Sequence, residues 1–272
     1  MSPGAPTRSL PEAAAVRSAP VEEGKAKTPP APEISVLAAV LNEGGNILPF
    51  FERLTRALQG LTWETIVVDD ASTDGTLEKV EALSRRDPRV RLLRRPARGG
   101  TASAQYDGWK VSRGRIIVVL DADLQHRPEE VPTVIGPVRS GSAVLSIGSR
   151  YLPGGGFEKR PPLRGLISRT GEVLARLILP ETRGRSDPMS GFFAFRREVL
   201  DGPEIAPQGM KFLFYLLVRV PPSRIREVPI RFQRREQGQS KLVGRQSRLV
   251  RALLSSALHA KRGRPRRDPV PP

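Results

Sequence analysis

Apolar positions along this chain fall into short runs set between amphipathic stretches. "EISVLAAVL" is a continuous apolar run closed by the turn "NEGG", the pattern of a buried strand. "NILPFFERLTRALQG" then places Ile47, Phe50, Phe51, Leu54 and Leu58 on one helical face. The alternation repeats. "ETIVVDD" reads as a strand, and "GTLEKVEALSRR" as a helix with Leu77, Val80 and Leu83 inward. "VRLLRR", "RIIVVLD" and "AVLSIGS" are further strands, separated by the helix "TASAQYDGWKVSRG" and by a short proline-interrupted helix over Pro128–Arg139. Strands and helices in this order predict an α/β domain, a mostly parallel central sheet with helices on both faces.

Beyond Arg150 the texture changes. "YLPGGGFEKRPP" is a Gly- and Pro-rich loop, expected to close over a ligand, and a helix is expected over about Leu163–Ile178. "FFAFR" and "IREVPIRF" read as strands, with a helix near Met210–Val220 between them. "GRQSRLVRALLSSALHAKR" is amphipathic, with Leu249, Val250, Leu253, Leu254, Ala257 and Leu258 on one face and Arg245, Arg248 and Arg251 on the other. Residues 1–33 hold seven prolines and no apolar period, the composition of a disordered leader. The expected organisation is leader 1–33, catalytic domain 34–240, and amphipathic basic helix with tail 241–272.

Composition narrows the chemistry. The chain has 272 residues and no cysteine, which excludes disulfides and thiolate-held metals. Its only histidines are His126 and His259, too few for a multi-histidine metal site. The net charge is +17, and Arg224–Pro272 carries about +11 of it, a tail suited to phosphate on nucleic acid or an anionic membrane. No run reaches the 18 apolar residues of a membrane span, and no signal-peptide pattern is present; a cytoplasmic protein, peripheral on the membrane, is expected.

In a parallel sheet, ligands sit at the carboxyl ends of the strands. Asp69, Asp70, Asp121 and Asp123 all fall there. In "VLDADLQHRP" the Asp-x-Asp spacing puts two carboxylates on one side of an extended segment. Two adjacent anions are stable beside a hard cation, Mg2+ or Mn2+, which takes oxygen ligands together with substrate phosphates. Gln125 is next on the same face. Acids in "RPEE" fit a helix start, which accounts for Glu129 and Glu130 but not for Asp121. Asp70 in "VVDDASTDG" fits recognition of a nucleobase N–H, with helix capping left to Ser72 or Asp74. "RGGTASAQYDG" lacks both the dinucleotide and the P-loop glycine patterns and reads as a tight turn with close helix–sheet packing. Arg150, Lys211, Arg235 and Lys241 are candidate cations for a departing diphosphate.

Taken together, "VLNEGGNI", "IVVDDASTDGT", "VVLDADLQHRPEEVP", "IGSRY", "SDPMSGFFAFRREVL", "GMKF", "EVPIRF" and "GQSKL" resemble family 2 glycosyltransferases over about residues 34–243, and most of all the dolichol- or polyprenol-phosphate mannose synthase branch. The resemblance implies a GT-A fold and an inverting transfer of mannose from GDP-mannose, with Mg2+ or Mn2+, to a polyprenyl phosphate at an anionic membrane surface. Nucleic acid is not an expected partner. Another nucleotide sugar, UDP-glucose or UDP-GlcNAc, or a non-lipid acceptor, is the alternative. By matching position, Asp121, Asp123 and Gln125 would hold metal and diphosphate, with the Ala122 backbone nearby. Leu41, Glu43, Val68 and Asp70 would lie at the base, and Lys211, Arg235 and Lys241 on the donor phosphates. Arg150 and Arg164 would take the acceptor phosphate, with Ser168 and Arg169 as second choices, and Asp187 would be structural or site-lining. Leu41 stands where the family has an aromatic residue, and Phe214 and Tyr215 follow "GMK" where an acid is common. The C-terminal helix is expected either to meet the membrane or to pack on the domain.

Overall fold

Seven strands form one sheet in the order β3-β2-β1-β4-β7-β5-β8. The computed structural model describes residues 31–158, 172–202, 207–209, 211–234 and 246–262, with side chains from Leu254 onward in the last segment. The apolar runs become β1 (Ile34–Val40), β2 (Trp63–Asp69), β3 (Val90–Arg94) and β4 (Ile116–Val119), interleaved with α1 (Ile47–Ala57), α2 (Thr76–Arg86) and α3 (Thr101–Val111). α4 (Val131–Arg139) leads into β5 (Leu145–Ser149). There follow β6 (Gly156–Phe157), helical residues 172–178 (α5), β7 (Phe193–Arg196), α6 (Leu213–Leu217), β8 (Ile225–Pro229), β9 (Arg231–Phe232) and α7 (Gln246–Arg262).

Side-chain alternation along β1 divides the core. Val36 and Ala38 join α1 and α4 on one face, while Leu37 joins Trp109 of α3 and the aromatic residues of α6 on the other. Val36 and Leu37, fully buried, each contribute about 1.5–3 kcal/mol relative to exposure. Gly108 lets α3 close on β2, since a Cβ there would stand 3.0 Å from Val68 Cγ2. That is the close helix–sheet packing expected of "RGGTASAQYDG".

β1, β2 and β4 run parallel and in register, so their carboxyl ends share one rim. After each of them the chain reverses through a non-glycine residue at positive φ: Asn42 at 52°, Ala71 at 65° and Leu124 at 61°. β7 departs from the parallel pattern and runs antiparallel to both β4 and β5. "IREVPIRF" is two strands rather than one. β8 pairs with β5, whereas β9 pairs with β6 in a second small sheet. Pro229, with no N–H to donate, ends the first, and Ile230 between them buries its side chain in the core. The helix expected near Met210–Val220 is helical only over Leu213–Leu217, and Met210 lies outside the described residues.

Glu33 is already tied in, pairing with Arg115 at 2.7 Å and Arg139 at 3.0 Å, and residues 1–30 lie outside the described residues. α7 packs against α6 with Ser256, Ala257 and Ala260 buried, so it belongs to the same unit as the sheet. Of the 150–162 loop, residues up to Glu158 are held through β6, and Gly156 N–H donates to Ile230 O at 3.1 Å. Residues 159–162 lie outside the described residues.

Two glycines separate packing from propensity. A Cβ on Gly114 would meet Ser35 N at 2.6 Å and the Ile34 carbonyl carbon at 2.7 Å, backbone atoms that have nowhere to go. Gly136 in α4 has nothing within 4 Å of the same position. Gly114→Ala is therefore expected to cost about 1–3 kcal/mol, while Gly136→Ala gains up to about 1 kcal/mol; denaturant unfolding of both variants checks the contrast.

Candidate functional site

A cleft of about 470 Å³ opens at the shared rim. Leu41 and Glu43 reach it from the end of β1, Asp70 from β2, and Asp121, Ala122, Asp123 and Gln125 from β4. Arg150, just after β5, and Lys211, just before α6, line it too. Val68 does not join them. It is fully buried, facing α3 from the interior of β2, so its side chain belongs to the core and not to a base pocket. Arg164, Ser168, Arg169, Arg235 and Lys241 lie outside the described residues.

The acids are arranged differently from the strand-alternation argument. β4 ends at Val119, and Asp121–Leu124 is a turn rather than extended chain. Asp123 Oδ1 accepts the Gln125 N–H at 3.1 Å, which closes that turn. The Gln125 side-chain N–H donates to Gln233 O at 3.4 Å, which leaves its amide oxygen out of that bond. Asp121 and Asp123 still face one cleft, because the turn rather than the pleat brings them there. Gly191 lies opposite, where a Cβ would stand 3.0 Å from Asp121 Oδ2 and 3.4 Å from His126 Nε2.

Asp69 and Asp70 serve the rim itself. Asp69 is buried, and its Oδ2 accepts the Ser72 N–H at 3.1 Å. Asp70 Oδ1 accepts from Arg95 Nη1 at 2.6 Å and Gly99 N at 2.9 Å, and Oδ2 accepts from Gly100 N at 3.0 Å. Its carboxylate thus clamps the loop before α3 while it lines the cleft. The partners lie 25 to 30 residues away, beyond reach of local pattern. At the start of α2, Asp74 rather than Ser72 takes a first-turn N–H, that of Thr76, at 3.1 Å.

The cations are held firmly. Asp187, with no exposure to water, grips Arg150 through Nε to Oδ2 at 2.6 Å and Nη2 to Oδ1 at 2.7 Å. Tyr151, Phe157 and Phe232 pack around the same guanidinium at 5.4–5.7 Å. Burial opposes its charge, but the hydrogen bonds and charge of Asp187 outweigh this and hold the guanidinium protonated. Lys211 sends its Nζ inward to Met189 O at 2.6 Å. Burial first, then repulsion from Arg150, lowers its pKa to about 8, against the opposing pull of Asp121 and Asp187. His126, which the sequence reading passed over, lines the cleft between Phe192 and Phe232. Burial, then Arg150 and Lys211, holds its pKa well below the usual value, so the ring is neutral at pH 7. Its place immediately after "DADLQ" was the available signal.

Among the described residues no group of three or more His, Cys, Asp or Glu forms a ready cation cage. The donor set that does exist, two carboxylates and an amide oxygen on one turn, suits a hard divalent ion completed by substrate phosphates and water. Glycosyl transferase family 2 matches residues 35–202. A dolichol-phosphate mannosyltransferase from Pyrococcus furiosus is 44% identical over 78% of this chain, and the match spans 60% of that protein's length. One from Saccharomyces cerevisiae is 37% identical over 78% of this chain and 82% of its own. Among solved structures, glucosyl-3-phosphoglycerate synthase from Mycobacterium tuberculosis with Mn2+, UDP-glucose and phosphoglyceric acid is 25% identical, with a TM-score of 0.64 over 83% of this chain and 80% of that one. A second complex of the same enzyme holds glycerol 3-phosphate, with a TM-score of 0.63.

These structures correct the expected pairing of GDP-mannose with a polyprenyl phosphate at an anionic membrane surface, because the ligands they hold are a uridine nucleotide and non-lipid phosphate esters. In this chain Leu41 lines the cleft, and α7 buries Ala257 and Ala260 against the domain. Among the described residues no helix is long and apolar enough to cross a membrane.

Removing one partner of the buried ion pair strands the other. Asp187→Ala is expected to destabilise the fold by about 3–5 kcal/mol, and adding Arg150→Met should recover most of it; chemical denaturation of the single and double variants decides.

Proposed function

Since this chain belongs to glycosyltransferase family 2, we propose that it transfers a hexosyl group from a UDP-sugar to a small, non-lipid acceptor bearing a phosphate, with a divalent cation at Asp121 and Asp123. The fold is of the GT-A type, a mixed and mostly parallel sheet flanked by helices. One observation carries the proposal: a pair of acids at the end of β4 and a pair of cations, Arg150 and Lys211, line the same cleft. A diphosphate bridging a cation to fixed positive charge needs that arrangement.

The division of work follows from the contacts. A bound Mg2+ or Mn2+ supplies charge neutralisation to the departing diphosphate. Asp121 and Asp123, with the Gln125 amide oxygen, would hold it. Lys211 adds a positive charge whose position is fixed by Met189. Arg150 has Nε and Nη2 committed to Asp187, and presents the rest of its fork to an anionic group on the acceptor. Glu43, tied to Asn46 at 2.8 Å, and Leu41 form the wall for the nucleoside. His126 stays neutral and so adds no charge of its own.

A panel of UDP-glucose, UDP-GlcNAc and GDP-mannose against 3-phosphoglycerate, glycerol 3-phosphate and a polyprenyl phosphate tests the proposal. Transfer from a UDP-sugar to a soluble phosphate ester, dependent on Mn2+ or Mg2+ and reduced by Asp123→Asn by about 100-fold or more, is expected. Transfer confined to GDP-mannose and polyprenyl phosphate would overturn it. Lys211 gives a second check. A diphosphate beside it raises a pKa that starts at about 8, so binding draws in a proton between about pH 8 and 10 and takes up little below pH 6. Calorimetry of UDP with Mn2+ in two buffers of different ionisation enthalpy measures that uptake, and Lys211→Met should abolish it.

A further inference from the structure

Both cations of the cleft contact one short loop, and the half of it that holds Arg150 rests on a carboxylate outside the cleft. Glu227 projects from β8, which β7 and β5 separate from β4, and does not line the cleft. Its Oε1 accepts the Ser186 N–H at 2.9 Å, the Ser186 hydroxyl at 2.8 Å and the Asp187 N–H at 3.1 Å, and Oε2 shares the Ser186 N–H at 3.0 Å. Ser186 Oγ also meets Ser149 Oγ at 2.6 Å, next to Arg150 in sequence. Asp187 then takes the Arg150 side chain through two bonds and its backbone N–H at 3.1 Å. Two residues further on, Met189 O receives Lys211 Nζ. The loop is closed at its far end by Ser190 Oγ, which donates to Gly148 O at 2.7 Å.

Hydrogen bonds to an ionised acceptor are about twice as strong as neutral ones. Three donors converging on one carboxylate therefore define the backbone of Ser186 and Asp187 closely. Asp187 has little freedom of its own, because it is sealed from water and both its oxygens face Arg150. Rotation or slippage of the backbone under it passes directly to the guanidinium. Met189 lies beyond Asp187 and is separately anchored through Ser190, so Lys211 is less exposed to such a movement.

We propose that Glu227 is a positioning residue for the acceptor: through the Ser186 and Asp187 N–H groups it sets the direction in which Asp187 presents Arg150 to the acceptor's anionic group. This rests on the glycosyl transfer proposed above. Asp121, Asp123 and Lys211, which face the donor diphosphate, stand outside the chain of contacts from Glu227 to Arg150, so the two substrates are affected unequally.

The test measures steady-state kinetics with UDP-glucose, 3-phosphoglycerate and Mn2+. Glu227→Ala should raise KM for 3-phosphoglycerate about tenfold, while KM for UDP-glucose and the Kd of UDP with Mn2+ change less than about twofold. Glu227→Gln, which keeps one acceptor oxygen in place, should recover part of the loss. In an Arg150→Lys background, Glu227→Ala should add less than about twofold, because both changes act on the same contact. Unchanged kinetics, an equal effect on donor and acceptor, or losses that multiply with Arg150→Lys would each overturn the inference. Should Glu227→Ala fail to fold, Ser186→Ala removes one of the three donors and is read by the same criteria. A wild-type chain that binds UDP but glycosylates no phosphorylated acceptor removes the proposed function, and this inference with it; an active wild type with unaltered variants removes the inference alone.

Discussion

Three adjacent parallel strands that end at one level impose a common problem. β1, β2 and β4 deliver their carboxyl ends side by side, and the chain must leave each end without covering the opening between them. It does so through Asn42, Ala71 and Leu124 at positive φ, conformations that cost on the order of 1–3 kcal/mol each for a side-chain-bearing residue. Bonds between loops hold these reversals in place. Asn42 N–H donates to Ser72 Oγ at 3.0 Å, and its Oδ1 accepts the Thr73 N–H at 2.8 Å, so the first turn is stitched to the second. Asp70 stitches the second to the loop before α3. The rim is thereby one braced body, and the cleft inherits its rigidity.

Charge in the cleft is set before any ligand arrives. Arg150 remains protonated because Asp187 is locked against it, Lys211 is poised near a pKa of about 8, and His126 is kept neutral by burial and by those two cations. Fixed dipoles and charges of this kind act without reorganising when charge develops. The acids and cations line one cleft, so an incoming group that carries both a metal ion and phosphate oxygens finds complementary partners there.

Much of the architecture was legible because apolar runs and helical periodicity are local signals. β1 to β5 and α1 to α4 lie where the pattern of Ile34–Val40, Ile47–Leu58 and their successors puts them. Strand direction is not local. Nothing within "FFAFR" states that β7 enters the sheet antiparallel, because that depends on where residues 150–192 return the chain. The same holds for the site. The acids of "DADLQ" stand out by residue type and position at a strand end, whereas spacing alone does not select Arg150 and Lys211 from so many basic residues. The Asp70 clamp, the Arg150–Asp187 pair and the Glu227 bonds join residues 25 to 41 positions apart. Only the folded chain brings them together. The choice of nucleoside and acceptor was misread for a related reason: motifs shared across a family describe the diphosphate and metal end of the donor, where chemistry is common to all members.

α7 reaches the backbone of a cleft residue from outside the cleft. Ser256 accepts the Lys211 N–H at 3.2 Å and donates to Gln208 O at 3.0 Å, which fixes the backbone from which the buried ammonium extends. A residue that lines the cleft is thus supported by a helix that does not, so a change at Ser256 would reach the Lys211 backbone without touching the cleft wall itself.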